Sequence, residues 1–399
     1  MSQYRDEWNP VNLRELVENF DQHRRPIKSM DRVAGATPYY GASGIIDYVE
    51  GYTHDGEFLL VAEDGENLRT RATPIAFMAS GRFWANNHAH VLAGNDRALS
   101  RFLCYLLSIT DISGYLTGTT QPKLSRSSLD LIRLSVPTIN TQLAIVEVLG
   151  ALDAKIAANR KLTSTADQLA DARFAMSTVA TQADPLGHNM VTIGELGKLG
   201  AITYGDGYRT KRSELADEGF RILRVADVFG GEIHLDSTDF VEYGRRTAIG
   251  AKAAQVGDIV LTTKGTVGRL AVFEGSGEDV VYSPQVCFFR VGQNDIVERS
   301  YLRRWFSSPS FISQASYRKG NTDMADYINL SDIGSLAISL PNIESQRALG
   351  EILEPLDAMV AALRKESRYL VALRDTLIPR LMAGELRVRD AEKAVENVL

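Results

Sequence analysis

The sequence predicts an α+β protein made twice over: two pseudo-symmetric α/β-mixed domains separated by two long antiparallel coiled-coil helices. Three observations lead there. Segments recur along the chain in the same order, each recurrence runs into a helix with heptad patterning, and the regions before those helices mix short apolar runs with glycine turns.

The repeat is clearest at a proline-containing strap. The segment LSVPTINTQ at 134–142 returns as ISLPNIESQ at 338–346, so Pro137 matches Pro341 and Gln142 matches Gln346 at an offset of 204 residues. Farther back, GEFLL at 56–60 resembles GDIVL at 257–261, each an apolar run leading to a turn glycine, Gly65 or Gly265. Near the start, VNLREL at 11–16 resembles VTIGEL at 191–196 at an offset of only 180, so the second copy carries insertions. The copies span roughly 8–182 and 188–390. The expected organisation is a first domain over 1–140, a helix over 141–182, a second domain over 188–342 and a second helix over 343–390.

Within the second domain, strand-like runs fall at 221–225, 258–262 and 286–291. Their imperfect alternation and frequent glycines favour compact α+β units over a doubly wound sheet. The strap proline ends each domain. Beyond it Leu349, Leu356, Leu363, Leu370 and Leu377 recur every seven residues, the seam of a coiled coil. Ile145, Leu149, Leu152 and Ile156 follow the same seam in the first copy. Asn159 then stands where the second copy has Leu363, a polar position able to set register, and apolar positions resume at Leu162, Leu169 and Met176. Neither helix can bury such a seam alone, and an antiparallel partner lies in the same chain. A helix of about 35 residues is roughly 50 Å long, a ruler between two end domains.

Composition excludes several classes. With 44% hydrophobic and 24% charged residues the chain is an ordinary globular protein. It has no apolar run long enough for a membrane span and no hydrophobic leader at its N-terminus, so a cytoplasmic location is expected. Cys104 and Cys287 supply neither a disulfide framework nor a zinc set. A phosphate loop, a methyltransferase base-gripping motif and a GxSxG elbow are all missing, and KGTVGR at 264–269 reads as a turn. His88 and His90 share a strand face but lack companions for a metal. No catalytic, cofactor-binding or metal-binding residue is assigned.

Net charge is −6, which speaks against nucleic acid unless basic residues segregate. They do cluster near glycines, aromatics and small polar residues, while Glu147, Asp153, Glu351, Glu354 and Asp357 sit on the helices. Thr, Ser and backbone amides suit phosphate oxygens, Arg and Lys suit guanine edges, and Asn and Gln suit adenine. The candidate DNA-contacting residues of the first copy are Tyr39, Tyr40, Ser43, Arg69, Arg71, Thr119, Thr120, Gln121 and Lys123. Those of the second are Tyr208, Arg209, Thr210, Lys211, Lys264, Arg269, Arg318, Lys319, Asn321 and Thr322.

The duplicated order of domain then helix resembles the specificity subunit of type I restriction–modification systems. The segment PYYGASGI at 38–45, the run from Gly257 through Arg269, and the two strap-to-helix junctions carry the resemblance. The family's strap often has two adjacent prolines and a Glu before the Gln; here Thr138 or Asn342 follows the proline and Thr141 or Ser345 precedes the Gln. The resemblance implies that each variable region is a target-recognition domain reading half of a split double-stranded DNA site. It also implies two methyltransferase (modification) subunits bound to the helices, with restriction (translocase–nuclease) subunits outside them. S-adenosylmethionine and ATP would belong to those partners and none to this chain. The rival readings are a specificity subunit of another restriction class and a non-DNA coiled-coil adaptor.

Overall fold

The computed structural model describes residues 8–182, 189–318 and 327–399. They form two compact units: one holds the chain up to Lys161 together with Leu363–Leu399, the other holds Leu162–Ala362. Each unit contains one mixed domain, the first half of one long helix and the second half of the other.

In the first unit β1 (Asn9–Asn12) pairs antiparallel with β8 (Arg133–Val136), closing the domain where the strap begins. Between them lie β2 (Val17–Asn19), β3 (Ala34–Gly41), β4 (Gly44–Val49), β5 (His54–Ala62), β6 (Ala76–Ala85) and β7 (Ala89–Gly94), a six-stranded sheet in the order β2-β7-β5-β6-β3-β4. The apolar end of β5 is buried on both faces. Leu59 and Val61 join the main core, whereas Leu60 joins a second cluster with Phe83 and Val91. A period-two strand between two apolar layers reads as a continuous hydrophobic run for this reason. Helix α1 (Ser100–Ile109) seals the main core with Phe102, Leu103, Leu106 and Leu107.

The second unit repeats the closure: β9 (Asn189–Thr192) pairs with the later β16 (Ala337–Leu340), as β1 does with β8. Strands β10 (Ile202–Asp206), β12 (Ile259–Thr262), β13 (Leu270–Val272) and β15 (Val286–Val291) form an antiparallel sheet in the order β10-β15-β12-β13. The insertion expected in this copy is visible as a further sheet. There β11 (Phe220–Leu223) runs parallel to β14 (Val280–Tyr282) and antiparallel to Phe240–Val241. Helices α3 (Arg299–Trp305) and α4 (Pro309–Arg318) complete the domain. Gly65 after β5 and Gly265 after β12 have φ of 108° and 75°, the region a glycine turn supplies without strain.

The long helices are α2 (Ile139–Gln182) and α5 (Ile343–Met382), with α6 (Val388–Glu396) after them. Inside the first unit Leu149, Leu152 and Ile156 of α2 are buried with Leu370 and Leu377 of α5. Asp153 pairs with Arg374 (2.8 Å) and Asn159 with Glu366 (2.7 Å), so these two segments run antiparallel. Asn159 is 3% exposed, a buried seam residue rather than a solvated one. In the second unit Leu349 and Leu353 are buried with Ala170 and Phe174, and Leu356 is half-buried; Leu363, also half-buried, opens the first unit's share of α5.

One expectation about α2 needs correcting. Leu162, Leu169 and Met176 do not resume the seam; they are 46%, 46% and 65% exposed. Ala166, Ala170 and Phe174 take the inward positions. Counting by sevens from Ile145, Leu152 and Asn159 arrives at Ala166, and from Leu149 and Ile156 at Ala170, so the seam keeps its phase with smaller side chains. Leu162 and Leu169 continue the position of Lys155, on another face.

Candidate nucleic-acid interface

In the first unit three loops meet at the end of β5. The backbone N–H of Glu63 donates to His88 O (2.9 Å), and Leu124 N–H donates to Glu63 O (2.7 Å). Asp64 forms an isolated antiparallel bridge with Lys123. This gathers 63–65, the turn at 86–88 before β7, and the loop 117–123. Arg69 fixes that last loop by donating to Gly118 O (2.8 Å) and Thr119 O (3.3 Å). Thr119, Thr120 and Gln121 are left exposed at its tip.

The charges at this rim are largely compensated. Lys123 Nζ lies 3.1 Å from Glu63 Oε1, Arg24 Nη1 lies 2.7 Å from Glu63 Oε2, and His88 Nδ1 lies 2.8 Å from Asp64 Oδ2. Burial pushes the Glu63 carboxyl up, but its bonds and charges from Arg24, His90 and Lys123 outweigh burial and hold it below the usual glutamate range. The first-copy basic cluster is thus a hydrogen-bonded rim, not a bare positive patch.

The second unit builds the same rim at the end of β12. Thr263 N–H donates to Gln285 O (2.9 Å), Ile328 N–H donates to Thr263 O (2.9 Å), and Lys264 bridges Tyr327. The loop after β10 joins through Tyr208 N–H to Tyr282 O (2.7 Å). Tyr208 donates its hydroxyl to Glu214 (3.1 Å), and Glu214 also accepts from Lys211 N–H (2.9 Å). Arg209 and Lys211 point outward, and Thr210 is half-buried. Lys264 and Gln285 are exposed, with no side-chain hydrogen bond or ion pair among the described residues. Ser283 is buried nearby, and its Oγ has no partner among the described residues.

Several candidates serve the fold instead. Tyr39 is only 1% exposed, and its hydroxyl accepts from Ile27 N–H (2.9 Å), so it cannot reach a base or phosphate. Tyr40 is half-buried, stacked on Phe77 at 5.8 Å. Arg71 donates to the carbonyls of Leu107, Ser108 and Thr110, capping the end of α1. Arg269 donates to Val228 O (3.2 Å), and Arg318 donates to Ser335 Oγ (2.8 Å). Ser43 is exposed at the β3–β4 turn, and the strand before that turn meets the 86–88 turn through Asn86 N–H donating to Tyr40 O (3.1 Å). Lys319, Asn321 and Thr322 lie outside the described residues. His88 and His90 do not share a site: His90 is buried between Asp21 Oδ2 (2.7 Å) and Leu124 O (2.9 Å), while His88 sits at the surface.

Sequence reasoning passed over His88, Gln285 and Tyr327 as interface residues. The repeat offset would have found one of them, since Lys123 plus 204 gives Tyr327. It also marked Gln142 and Gln346 without their role. Both side chains are fully buried. Gln142 accepts from Leu99 N–H (3.0 Å) and donates to Arg97 O and Pro137 O (both 2.9 Å). Gln346 accepts from Glu298 N–H (3.0 Å) and donates to Ile296 O (3.0 Å) and Pro341 O (2.8 Å). Each ties the start of a long helix to the start of the helix in its own domain.

Residues 5–167 and 185–369 both match the type I restriction modification DNA specificity domain. A putative type I restriction enzyme specificity subunit of Haemophilus influenzae is 29% identical over 367 residues, 88% of each chain. A type I restriction enzyme specificity subunit of Methanocaldococcus jannaschii is 22% identical, covering 96% of this chain and 94% of its own. Among solved structures, the S subunit of a type I restriction–modification system from M. genitalium superposes with a TM-score of 0.64 at 16% identity, covering 96% of this chain and 98% of that one. At that identity the likeness speaks for the fold. With two copies of the domain matched across most of its length, the chain belongs to the type I restriction–modification DNA specificity family.

Proposed function

We propose that this chain recognises a split double-stranded DNA site, one half through the domain at 1–140 and the other through the domain at 188–342, and contributes no chemistry of its own. Methylation and cleavage then fall to modification and restriction subunits, which hold S-adenosylmethionine and ATP. The observation that carries the reading is the three-loop rim, formed twice from the same backbone bonds and edged by exposed polar and basic side chains. Such groups suit base edges and phosphates together.

The modification subunits dock on the helices. Supporting this, Leu162, Leu169 and Met176 form an exposed apolar stripe at seven-residue spacing on α2. Replacing all three with Gln alters side chains that are 46%, 46% and 65% exposed, so thermal stability should fall only slightly while co-purification with the modification subunit is lost. Retained co-purification refutes that docking face.

The function itself is tested by methylome sequencing of cells carrying this chain and its modification subunit. A motif with two specified halves, methylated once in each, is expected. DNA affinity of the complex should also fall steeply with salt, because phosphate contacts release counterions. Salt-insensitive behaviour with no methylated motif supports a protein-binding adaptor instead.

A further inference from the structure

The two rims share a backbone and differ in the side chains mounted on it. Glu63, Asp64, His88, Lys123 and Leu124 in the first unit correspond to Thr263, Lys264, Gln285, Tyr327 and Ile328 in the second, bond for bond. Three of these positions face outward or lie half-buried in both units: 64, 88 and 123 against 264, 285 and 327. The backbone bonds fix where each side chain starts without fixing which side chain it is.

The chemistries at these positions are unlike. In the first unit His88 is held by Asp64 through Nδ1 and Lys123 by Glu63, so the outward groups are an imidazole edge and a charge-compensated ammonium. In the second, Lys264 and Gln285 are exposed and unpaired among the described residues, beside the unpartnered Ser283 Oγ. A carboxamide can meet adenine N6 and N7 with both of its polar atoms, and an ammonium suits guanine O6 and N7.

We propose that these three equivalent positions set base choice in each half-site, with Gln285 reading an adenine and Lys264 an adjacent guanine in the half bound by the second unit. The inference rests on the DNA-recognition reading above and assigns residues within it. Neither side chain makes a hydrogen bond or ion pair among the described residues, and both are exposed, so replacing them should disturb the fold little.

The test uses the full chain with its modification subunit, reading methylated motifs and binding to DNA duplexes that differ at single positions. Gln285→Ala is expected to reduce discrimination at one specified adenine by about ten-fold or more, leaving the other half-site untouched. Gln285→Glu, which can only accept, should move that position toward cytosine, whose N4 amino group donates. His88→Gln should change the opposite half alone. Unchanged discrimination at every position in Gln285→Ala overturns the assignment. So does a loss of affinity spread evenly over all sequences, the signature of a phosphate contact. Absence of any split motif with the unmutated chain is a separate result: it refutes the recognition function itself and this assignment with it.

Discussion

The sharpest test of the architecture is Gln142→Met, a change that keeps side-chain length and apolar packing but removes every hydrogen bond the amide makes. Gln142 is fully buried and has three partners, all backbone: Leu99 N–H, Arg97 O and Pro137 O. A buried donor left without a partner costs about 1–3 kcal/mol, and each weakened carbonyl adds a smaller cost, for a total of about 3 kcal/mol. Met fills nearly the same volume, so no cavity cost should obscure this. The chain has two units and need not unfold in one step, so the effect should be read locally by native-state hydrogen exchange. Peptides covering α1 should lose about a hundred-fold in protection, the equivalent of roughly 3 kcal/mol, while peptides covering α3 keep theirs. Gln346→Met should give the mirror result. If Gln142→Met changes protection of α1 by less than about three-fold, or weakens both units alike, the glutamine does not tie helix to domain and the argument fails.

Three other outcomes are expected. Arg71→Ala removes the bonds to the last carbonyls of α1 and should destabilise the first unit by about 2 kcal/mol, with DNA sequence preference unchanged; altered preference would restore it as a contact residue. Burial holds the His54 imidazole below the ordinary histidine range. A depressed folded value means its stabilising contribution is complete above the unfolded value of about 6.5 and is lost as pH falls through the folded one. Unfolding midpoints should therefore drop from neutral toward acid pH, and His54→Gln should flatten that slope. Asn159→Leu removes a buried amide whose partner Glu366 still has Lys155 at 3.3 Å; it should leave the helix pairing as stable or raise it by about 1 kcal/mol, read as a higher melting temperature. A large fall would show that the amide contributes more than its desolvation costs.

Much of this fold is legible in the sequence because its signals are local or repeated. The strap and glutamine announce the starts of α2 and α5, and the apolar runs at 258–262 and 286–291 become β12 and β15 nearly residue for residue. What is not legible depends on distance or phase. Tyr39 and Tyr40 are neighbours of one chemistry, and only strand register decides that Tyr39 is the one turned fully into the core. Arg71 looks like a phosphate ligand until its guanidinium is seen on carbonyls some 36–39 residues away. On α2, Ala166 and Ala170 are inside while the larger Leu162 and Leu169 are outside, because helix phase and not hydrophobicity chose the face. The rim residues lie on three loops far apart in sequence, and only the backbone bonds between those loops bring them together.

The elements that hold this chain together and those that face outward at the rim obey different rules. Gln142 and Gln346 bond only to backbone, and the rims too are tied by main-chain bonds from Glu63 or Thr263. A support of that kind does not depend on the identity of the neighbouring side chains. Positions 64, 88 and 123 can therefore differ from 264, 285 and 327 completely while the loops keep the same connections. An ion pair used as the support would have tied two side-chain identities together, and changing one would have stranded the other as an uncompensated charge. The first unit carries a partial case of this constraint, since His88 leans on Asp64 and Lys123 on Glu63. Altering Lys123 alone leaves Glu63 with Arg24, whereas altering Glu63 takes the ion partner from Lys123 and leaves Arg24 with Asp21 at 3.4 Å. The second rim, where Lys264 and Gln285 have no side-chain hydrogen bond or ion pair among the described residues, is thus the one that should accept new side chains with the least loss of stability. Substitutions at 264 and 285 should leave the unfolding free energy within about 0.5 kcal/mol of unchanged, and Glu63→Ala should not. Equal tolerance at both rims would mean that the first unit's ion pairs are too well solvated to constrain it.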